Sequence, residues 1–198
     1  MPVIPKVLVF AGSVRTGAFS SKTADVAQKA LALEGAEVTR LSLADYPLPI
    51  MDEDLEKENG IPDNAMKLAR QIAAHDGVLI ASPEYNGSIP PLLKNTIDWV
   101  SRVRHDNGRV LRPLAGKPAG LCSSSAGQFA GIRAANHLRA VLVRCQMEVV
   151  SPECSVPEGA SAFDETGNFR DGRLQKSMEV LCHTLTQAAR QTSMRIGA

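Results

Sequence analysis

The chain has 198 residues, of which 44% are hydrophobic and 22% are charged, and its formal net charge is +1. This balance is typical of a globular protein with a substantial core, and it excludes a strongly basic nucleic-acid surface and an acidic tail. No apolar run reaches the ~18 residues that a membrane-spanning helix needs. The N-terminus lacks a charged lead before a long apolar stretch, so we predict a cytoplasmic protein.

Strand-like and helical patterns alternate along the chain. The strand-like segments are 6–11, 36–42, 77–82, 118–123 and 146–150, and the helical patterns are 20–34, 62–75, 90–101, 128–144 and 172–190. The segment 77–82 is continuously apolar, as expected for a strand covered by helices on both faces. The alternation predicts an α/β three-layer sandwich in a single domain spanning 1–198. Its five parallel strands are expected in the flavodoxin-like order 2-1-3-4-5.

Three longer segments are predicted to be loops: 45–60, 103–116 and 151–171. A basic cluster is formed by Arg102, just before the second of these, and by Arg104, Arg109 and Arg112 within it, around Asn107-Gly108. Such a cluster is usually a solvated face, and the alternative is that one arginine reaches a cofactor phosphate or an anionic acceptor.

Four cysteines are spread along the chain, at Cys122, Cys145, Cys154 and Cys182. Zinc sites and iron–sulfur clusters need ligands grouped more closely than this. We therefore predict no metal site and interpret the cysteines as reduced core thiols.

The loop after the first strand has the composition of a phosphate site. Gly12 allows a sharp turn, Ser13, Ser20 and Ser21 offer hydroxyl groups, and Arg15 offers a planar cationic fork. The helix that follows points free N–H groups and the positive end of its dipole into the same space. The alternative is a serine-capped helix after an ordinary turn. The P-loop is excluded because Ala18-Phe19 stand in place of Lys-Ser/Thr, and the dinucleotide fingerprint lacks its second glycine.

The loop after the third strand is suited to the edge of a flat ring. Pro83 restricts the chain, Asn86 and Gly87 tolerate unusual backbone angles, and Tyr85 offers an aromatic wall. Glu84 is expected either to cap a helix or to fix the loop. The alternative is a connecting turn with no ligand.

A third, serine-rich loop follows the fourth strand and includes Ser124 and Gly127. Because the carboxyl ends of parallel strands line one ligand crevice, these three loops are expected to meet. A phosphate cradle beside a ring platform indicates a mononucleotide, and we predict FMN. A flexible turn is the alternative for the third loop.

These motifs resemble the NADPH-dependent FMN reductase family, and most closely its bacterial quinone and chromate reductases. The first loop is similar to the family's G-S-x-R-x-x-S-x-N loop. Residues 83–99 are similar to its signature P-E-Y-N-x-S-x-P-x-x-L-K-N-x-I-D-W. The similarity runs from about residue 5 to residue 190. Two positions depart from the family, since Ala18 stands where serine is common and Ser20 where asparagine is common.

The resemblance implies the following cofactor-binding residues: Ser13, Arg15, Phe19, Ser20, Ser21, Pro83, Glu84, Tyr85, Asn86, Gly87, Ser124 and Gly127. It implies no catalytic side chain, because the flavin carries the chemistry. NADPH or NADH would supply hydride and leave, after which a quinone, free flavin, azo compound or chromate would take the electrons in a ping-pong mechanism. The resemblance also implies a homodimer or homotetramer, to which Ile97, Trp99 and Val100 would contribute unless they belong to the core.

Two other functions fit an FMN-binding fold. A flavodoxin-like electron carrier would usually be strongly acidic, and the charge of +1 argues against it. A redox-sensing FMN module is the second alternative, and it would not oxidise NAD(P)H rapidly in the presence of a quinone.

Overall fold

The computed structural model describes residues 3–196. Its strands are β1 (Lys6–Ala11), β2 (Glu37–Leu41), β3 (Gly77–Pro83), β4 (His105–Asp106), β5 (Arg109–Val110), β6 (Pro118–Ser124) and β7 (Glu148–Val156). Its helices are α1 (Phe19–Leu33), α2 (Glu53–Asn59), α3 (Asp63–Ala73), α4 (Pro91–Arg102), α5 (Ile132–Arg144) and α6 (Gly172–Ile196), and a 3-10 turn spans Leu43–Asp45.

Five strands form one parallel sheet in the order β2-β1-β3-β6-β7. This is the predicted flavodoxin-like order, with the small antiparallel hairpin β4-β5 lying outside the sheet. The order reverses between β1 and β3, so the loops that follow these strands flank a switch point at one edge of the sheet.

The sheet has a hydrophobic core on each face. Val7 and Val9 of β1 pack on the side of α1 and α6, whereas Leu8 and Phe10 pack on the side of α3, α4 and α5. Alternate side chains of a strand point to opposite faces, so a strand that is covered on both sides must be apolar throughout. This confirms that a continuously apolar strand pattern in this chain belongs to a strand that is covered by helices on both faces.

The last strand is longer than the sequence pattern indicated. β7 continues to Val156, although the composition of 151–171 predicted a loop from residue 151. The pairing shifts between Ala119 and Leu121 of β6, whose partners on β7 are Val149 and Glu153. β7 thus carries two extra residues there, with Pro152 inside the irregularity. Proline is tolerated because β7 is an edge strand.

The other two segments predicted as loops also contain regular structure. Residues 45–60 hold α2, and residues 103–116 hold the hairpin β4-β5 around Asn107 and Gly108, whose φ angles are 49° and 77°. Asparagine–glycine with two positive φ angles is the turn that favours a two-residue hairpin, so this signal was present in the sequence. Within residues 3–196, no helix combines the length and apolar character needed to cross a membrane.

Helix α4 is held on the sheet by its apolar side. Ile97, Trp99 and Val100 are all buried, so they belong to the core and are not available to a partner. Trp99 donates from Nε1 to the carbonyl oxygen of Pro49 at 2.8 Å. Asn95 donates to the same oxygen at 2.8 Å and accepts from the N–H of Met51 at 2.8 Å. Asn95 and Trp99 of the signature therefore hold the segment before α2 against α4.

Candidate functional site

The loops after β1 and β3 meet in one open cleft at the carboxyl edge of the sheet. The cleft has a volume of about 270 Å³, and its lining includes Ser13 and Arg15 from the first loop and Tyr85 from the second. Gly12 joins the two strands, because its N–H donates to the carbonyl of Ala81 at 2.8 Å. The predicted juxtaposition of the two loops is therefore present.

The N-terminus of α1 is uncapped. Its N-cap residue is Ala18, which makes no side-chain hydrogen bond, so the helix is not the serine-capped one considered as an alternative. The first N–H groups of a helix have no partner within the helix. Ser20 lies in this first turn, is 1% exposed, and its hydroxyl has no hydrogen-bond partner among the described residues. An oriented row of unpaired donors at a positive helix end fits a phosphate group.

Arg15 is exposed beside this helix end. Its guanidinium lies 6.0 Å from the centre of the Phe19 ring and makes a 3.3 Å contact with the carbonyl of Thr16. Phe19 in turn packs against Gly159, which lies so close that a Cβ added to this glycine would be 2.4 Å from the Phe19 ring. Phe19 therefore serves as a support for Arg15, which keeps its outward donors available to an anion.

Ser21 lies on the other side of the first loop. It lines a second cleft of about 290 Å³, which Ser13 also lines. Arg40 borders that cleft but is already paired with Asp25 at 3.2 Å. Ser13 is thus the residue that the two clefts share.

The second loop is a tight turn with an unusual backbone. Asn86 and Gly87 have φ angles of 50° and 78°, and Tyr85 and Ser88 exchange two backbone hydrogen bonds of 2.9 and 3.0 Å. Two consecutive positive φ angles define a type I′ turn, which asparagine–glycine adopts readily. The turn follows Pro83, the last residue of β3, and leaves Tyr85 46% exposed. It presents backbone edges and an aromatic side chain together.

Glu84 points away from this turn towards helix α5. Its carboxylate accepts from Nη1 of Arg133 at 2.6 Å and from the backbone N–H groups of Arg133 and Ala134 at 3.1 and 3.3 Å. The helix has no cap of its own, since its N-cap residue is Gly131. Of the two roles predicted for Glu84, capping a helix is the one that the geometry supports, and this also fixes the loop.

A second contact from α5 reaches the same turn. Ser88 Oγ lies 3.0 Å from Nδ1 of His137. The sequence analysis identified neither Arg133 nor His137, because both lie 49 residues from their partners. Glu84, the acidic residue of the signature, was the one local sign that a residue from elsewhere in the chain holds this loop.

The third loop lies beside the other two. Ser124 is buried, and its hydroxyl has no hydrogen-bond partner among residues 3–196. Gly127 is exposed, and its carbonyl accepts from the hydroxyl of Ser125 at 3.0 Å and from the N–H of Glu158 at 3.2 Å. Buried hydroxyl groups are nearly always hydrogen-bonded in proteins. Three buried hydroxyls are unpaired among the described residues: those of Ser20 and Ser124 lie in two of the three loops predicted to hold a ligand, and that of Thr186 lies in α6. The residues present fit FMN.

The comparisons with known proteins agree with this site. The model of the NADPH-dependent FMN reductase family matches residues 5–161. The chain belongs to the NADPH-dependent FMN reductase family. A quinone reductase of Escherichia coli (strain K12) is 43% identical over 139 residues, which make up 70% of this chain and 69% of that protein. An NAD(P)H-dependent FMN reductase of Pseudomonas aeruginosa is 35% identical over 176 residues, or 88% and 89% of the two chains.

A solved structure shares the whole architecture. FerB, a flavoenzyme NAD(P)H:(acceptor) oxidoreductase from Paracoccus denitrificans, matches with a TM-score of 0.78 at 26% identity, over 96% of this chain and 99% of that chain. The family resemblance predicted from the two motifs is confirmed. As a member of the FMN reductase family the chain is an oxidoreductase, which favours an enzyme over an electron carrier or a sensor module.

Proposed function

We propose that the protein is an FMN-dependent NAD(P)H:quinone oxidoreductase. The observation that carries this proposal is the uncapped N-terminus of α1, with Arg15 and the unpaired Ser20 hydroxyl beside it, at the same sheet edge as the Tyr85 turn. When bound, FMN supplies hydride and electron transfer between the two substrates. Family membership and the quinone reductase relative support quinones as acceptors.

The chain would hold FMN with three sets of residues. Ser13, Arg15 and Ser20, with Ser21 at the edge, would bind the phosphate, and Phe19 would support Arg15. Pro83, Tyr85, Asn86 and Gly87 would line the ring, and Glu84 would keep that turn in place through α5. Ser124 and Gly127 would border the ring from the third loop. Tyr85 is 46% exposed beside this platform, and we propose that one planar substrate at a time stacks there, as a ping-pong mechanism requires.

The test starts from the absorption spectrum of purified protein and its anaerobic bleaching by NADPH and by NADH. We expect a bound yellow flavin, reoxidation by a quinone, and parallel initial-velocity lines. Free flavins, azo compounds and chromate are assayed as alternative acceptors. Protein that stays colourless after incubation with FMN, or intersecting lines, would contradict the proposal.

Replacement of Arg15 tests the phosphate assignment directly. Arg15→Ala should weaken FMN binding about ten-fold or more, because a hydrogen bond to a charged group contributes about 1.5–3 kcal/mol. Arg109→Ala is the matched control, since Arg109 is also an exposed arginine but lies on the hairpin. Equal FMN dissociation constants for the two variants would refute the role of Arg15.

We further propose that the protein forms a homodimer or homotetramer through α5 and the loop before it. Phe129, Ile132 and Val143 are 59%, 48% and 56% exposed, so α5 and the loop before it present three large apolar side chains to solvent. Light scattering should give a multiple of the 21.2 kDa chain mass, and Val143→Glu should lower it. A monomeric parent protein would exclude this assembly. The cytoplasmic location stays a prediction.

A further inference from the structure

A large cleft of the described residues lies far from the flavin loops. It has a volume of about 830 Å³ and lies between α4, α5 and the segment before β6. Arg104, Pro113 and Gln146, which border it, come after α4 or before β6 and β7, so they lie at the amino edge of the sheet. Each seven-residue strand spans about 23 Å, so this part of the cleft is about 20 Å from the loops at the carboxyl edge. A molecule bound there cannot exchange hydride with the flavin.

Three arginines in this cleft carry uncompensated charge. Arg104, Arg112 and Arg144 are exposed, and within residues 3–196 none of their side chains makes an ion pair or a hydrogen bond. Most arginines elsewhere in the described chain are paired with a carboxylate, namely Arg40, Arg70, Arg102, Arg133, Arg139 and Arg173. The cleft therefore differs from most other arginine positions of the described chain, because its three guanidinium groups are unpaired and share one concave surface.

The other charges in the cleft do not neutralise these arginines. Lys94 and Asp98 also line it, but they pair with each other at 2.6 Å and cancel. The three positive charges of the arginines therefore remain in a concave surface. Charges of one sign in such a surface raise the local concentration of ions of the opposite sign, here anions. Arginine forks bind phosphate groups with two parallel hydrogen bonds.

The cleft also has an apolar part. Pro113 and Leu114 are buried side chains of its wall, and Ala140 and Val141 of α5 add further apolar surface. Its volume is within the range of sites that enclose a small molecule, and larger than a lone phosphate ion needs. An anion that carries a ring or another apolar group would use both parts of the surface.

We propose that this cleft binds a phosphorylated small molecule of nucleotide size, at a site separate from the flavin. The phosphates would lie against Arg104, Arg112 and Arg144, and the organic part against Leu114 and Val141. This explains why the basic cluster predicted from the sequence is not simply a solvated face: two of its members line the cleft and Arg144 joins them from α5, whereas Arg109 remains outside.

Calorimetric titration of the FMN-loaded protein with ADP is the first test, with inorganic pyrophosphate as a second probe. We expect one saturable site whose affinity falls as salt is added. Arg112→Ala/Arg144→Ala should weaken ADP binding about ten-fold or more, whereas Arg109→Ala should leave it within about two-fold, because each lost charge-assisted hydrogen bond contributes about 1.5–3 kcal/mol. No saturable binding at millimolar ADP, equal losses in both variants, or competition with NADPH would overturn the proposal.

Cys145 provides an independent readout, because it lines the same cleft and is half-buried while the other three cysteines are buried. Burial raises the pKa of its thiol, and Asp98 adds to this effect. Lys94, Arg144 and Arg104 oppose the rise, so an anion bound among them should leave less thiolate. ADP should therefore slow the alkylation of Cys145 by iodoacetamide several-fold in the parent protein and not in the double variant.

The same variants separate this proposal from the proposed function. FMN content and quinone reduction should be unchanged in Arg112→Ala/Arg144→Ala, and the titration remains informative even if the protein binds no flavin. If ADP does not change the alkylation of Cys145, the proposal is wrong. If ADP fails to bind and the double variant alters the oligomeric state, the cleft is a contact between subunits and the proposal is likewise wrong.

Discussion

Glu84 shows how one side chain links two functional loops. Its carboxylate, which is 11% exposed, binds the first turn of α5 while its backbone continues into the Asn86-Gly87 turn. A negative charge at a helix N-terminus is stabilised by the unpaired N–H groups and by the helix dipole. Glu84 is therefore a positioning residue, and its effect on a bound flavin is expected to come through the loop.

Replacement of this carboxylate should lower stability even without flavin. Glu84→Gln keeps the shape but loses the charge, and we expect the free energy of unfolding of the flavin-free protein to fall by about 1–3 kcal/mol. Glu58→Gln, at an exposed position of α2, is the control and should change it by less than about 0.5 kcal/mol. Urea unfolding measures both. Weaker FMN binding with unchanged stability would mean that Glu84 contacts the ligand instead.

At the residue level, the sequence predicts what is local. Ser13, Arg15 and the Asn86-Gly87 turn lie within short motifs whose chemistry and backbone preferences can be recognised from neighbouring residues. The support of Arg15 by Phe19 and Gly159, and of Glu84 by Arg133, depends on segments that meet only after folding. Such contacts have no local signal.

Two helices of the fold end in the same way but with different residues. In α1, Ala36 N–H bonds to the carbonyl of Leu31, with Gly35 at φ 81°. In α5, Met147 N–H bonds to the carbonyl of Leu142, with Gln146 at φ 68°. This closing pattern favours glycine at the left-handed position, because a side chain there is strained.

Introducing glycine at position 146 and removing it at position 35 should change the free energy of unfolding in opposite directions. Gln146→Gly should raise the free energy of unfolding by about 0.5–1 kcal/mol, since relief of strain exceeds the entropy cost, and Gly35→Ala should lower it by about 1 kcal/mol. Gln146→Ala is the control and should have little effect, because alanine keeps the strained angle. Thermal or urea unfolding measures the series. If Gln146→Ala raises the free energy of unfolding as much as Gln146→Gly does, the explanation is contradicted.

At the level of elements, periodicity predicted every strand of the sheet. It missed α2, whose side chains are all exposed or half-buried, because such a short polar helix has no core-facing pattern. It also ended β7 too early, since Pro152 is a signal against a strand in most positions. The pattern records burial, and elements that bury little are difficult to find in this way.

An ion pair joins the hairpin β4-β5 to helix α3. Arg70 of α3 donates from Nε and Nη2 to the two carboxylate oxygens of Asp106, at 2.8 and 2.7 Å. Hydrogen bonding and charge from Arg70 hold the pKa of Asp106 below its ordinary value of 3.8. A carboxylate whose pKa is lowered in the folded state stabilises the fold above its unfolded pKa, and this contribution disappears as the pH falls through the lowered value.

Asp106→Asn should therefore destabilise the protein most at neutral pH. The difference from the parent protein should shrink as the pH falls below about 3.8, where the carboxylate of the unfolded chain becomes protonated, and it should be lost below the lowered pKa of the folded state. Urea unfolding midpoints of the two proteins across this range give the measurement, and added salt should reduce the difference. A difference that does not change with pH would show that Asp106 acts only through its shape.

For the whole molecule, strand–helix alternation and the connection rules predicted the sheet order and the edge where the three loops meet. They did not predict the 830 Å³ cleft. Its arginines come from the end of α4, the segment before β6 and the end of α5, and only the packing of these elements brings them together. Surfaces made by several elements are the part of a fold that sequence patterns describe least.

The irregularity in β7 has a consequence for association. Arg139 fills the gap that it leaves, donating to the carbonyls of Val149 and Val150 at 3.4 and 2.9 Å and pairing with Glu153 at 2.6 Å. Pro152 offers no N–H at this border. A strand added at this edge would meet a bend at which the carbonyls of Val149 and Val150 already accept from Arg139, so growth of the sheet past β7 is disfavoured.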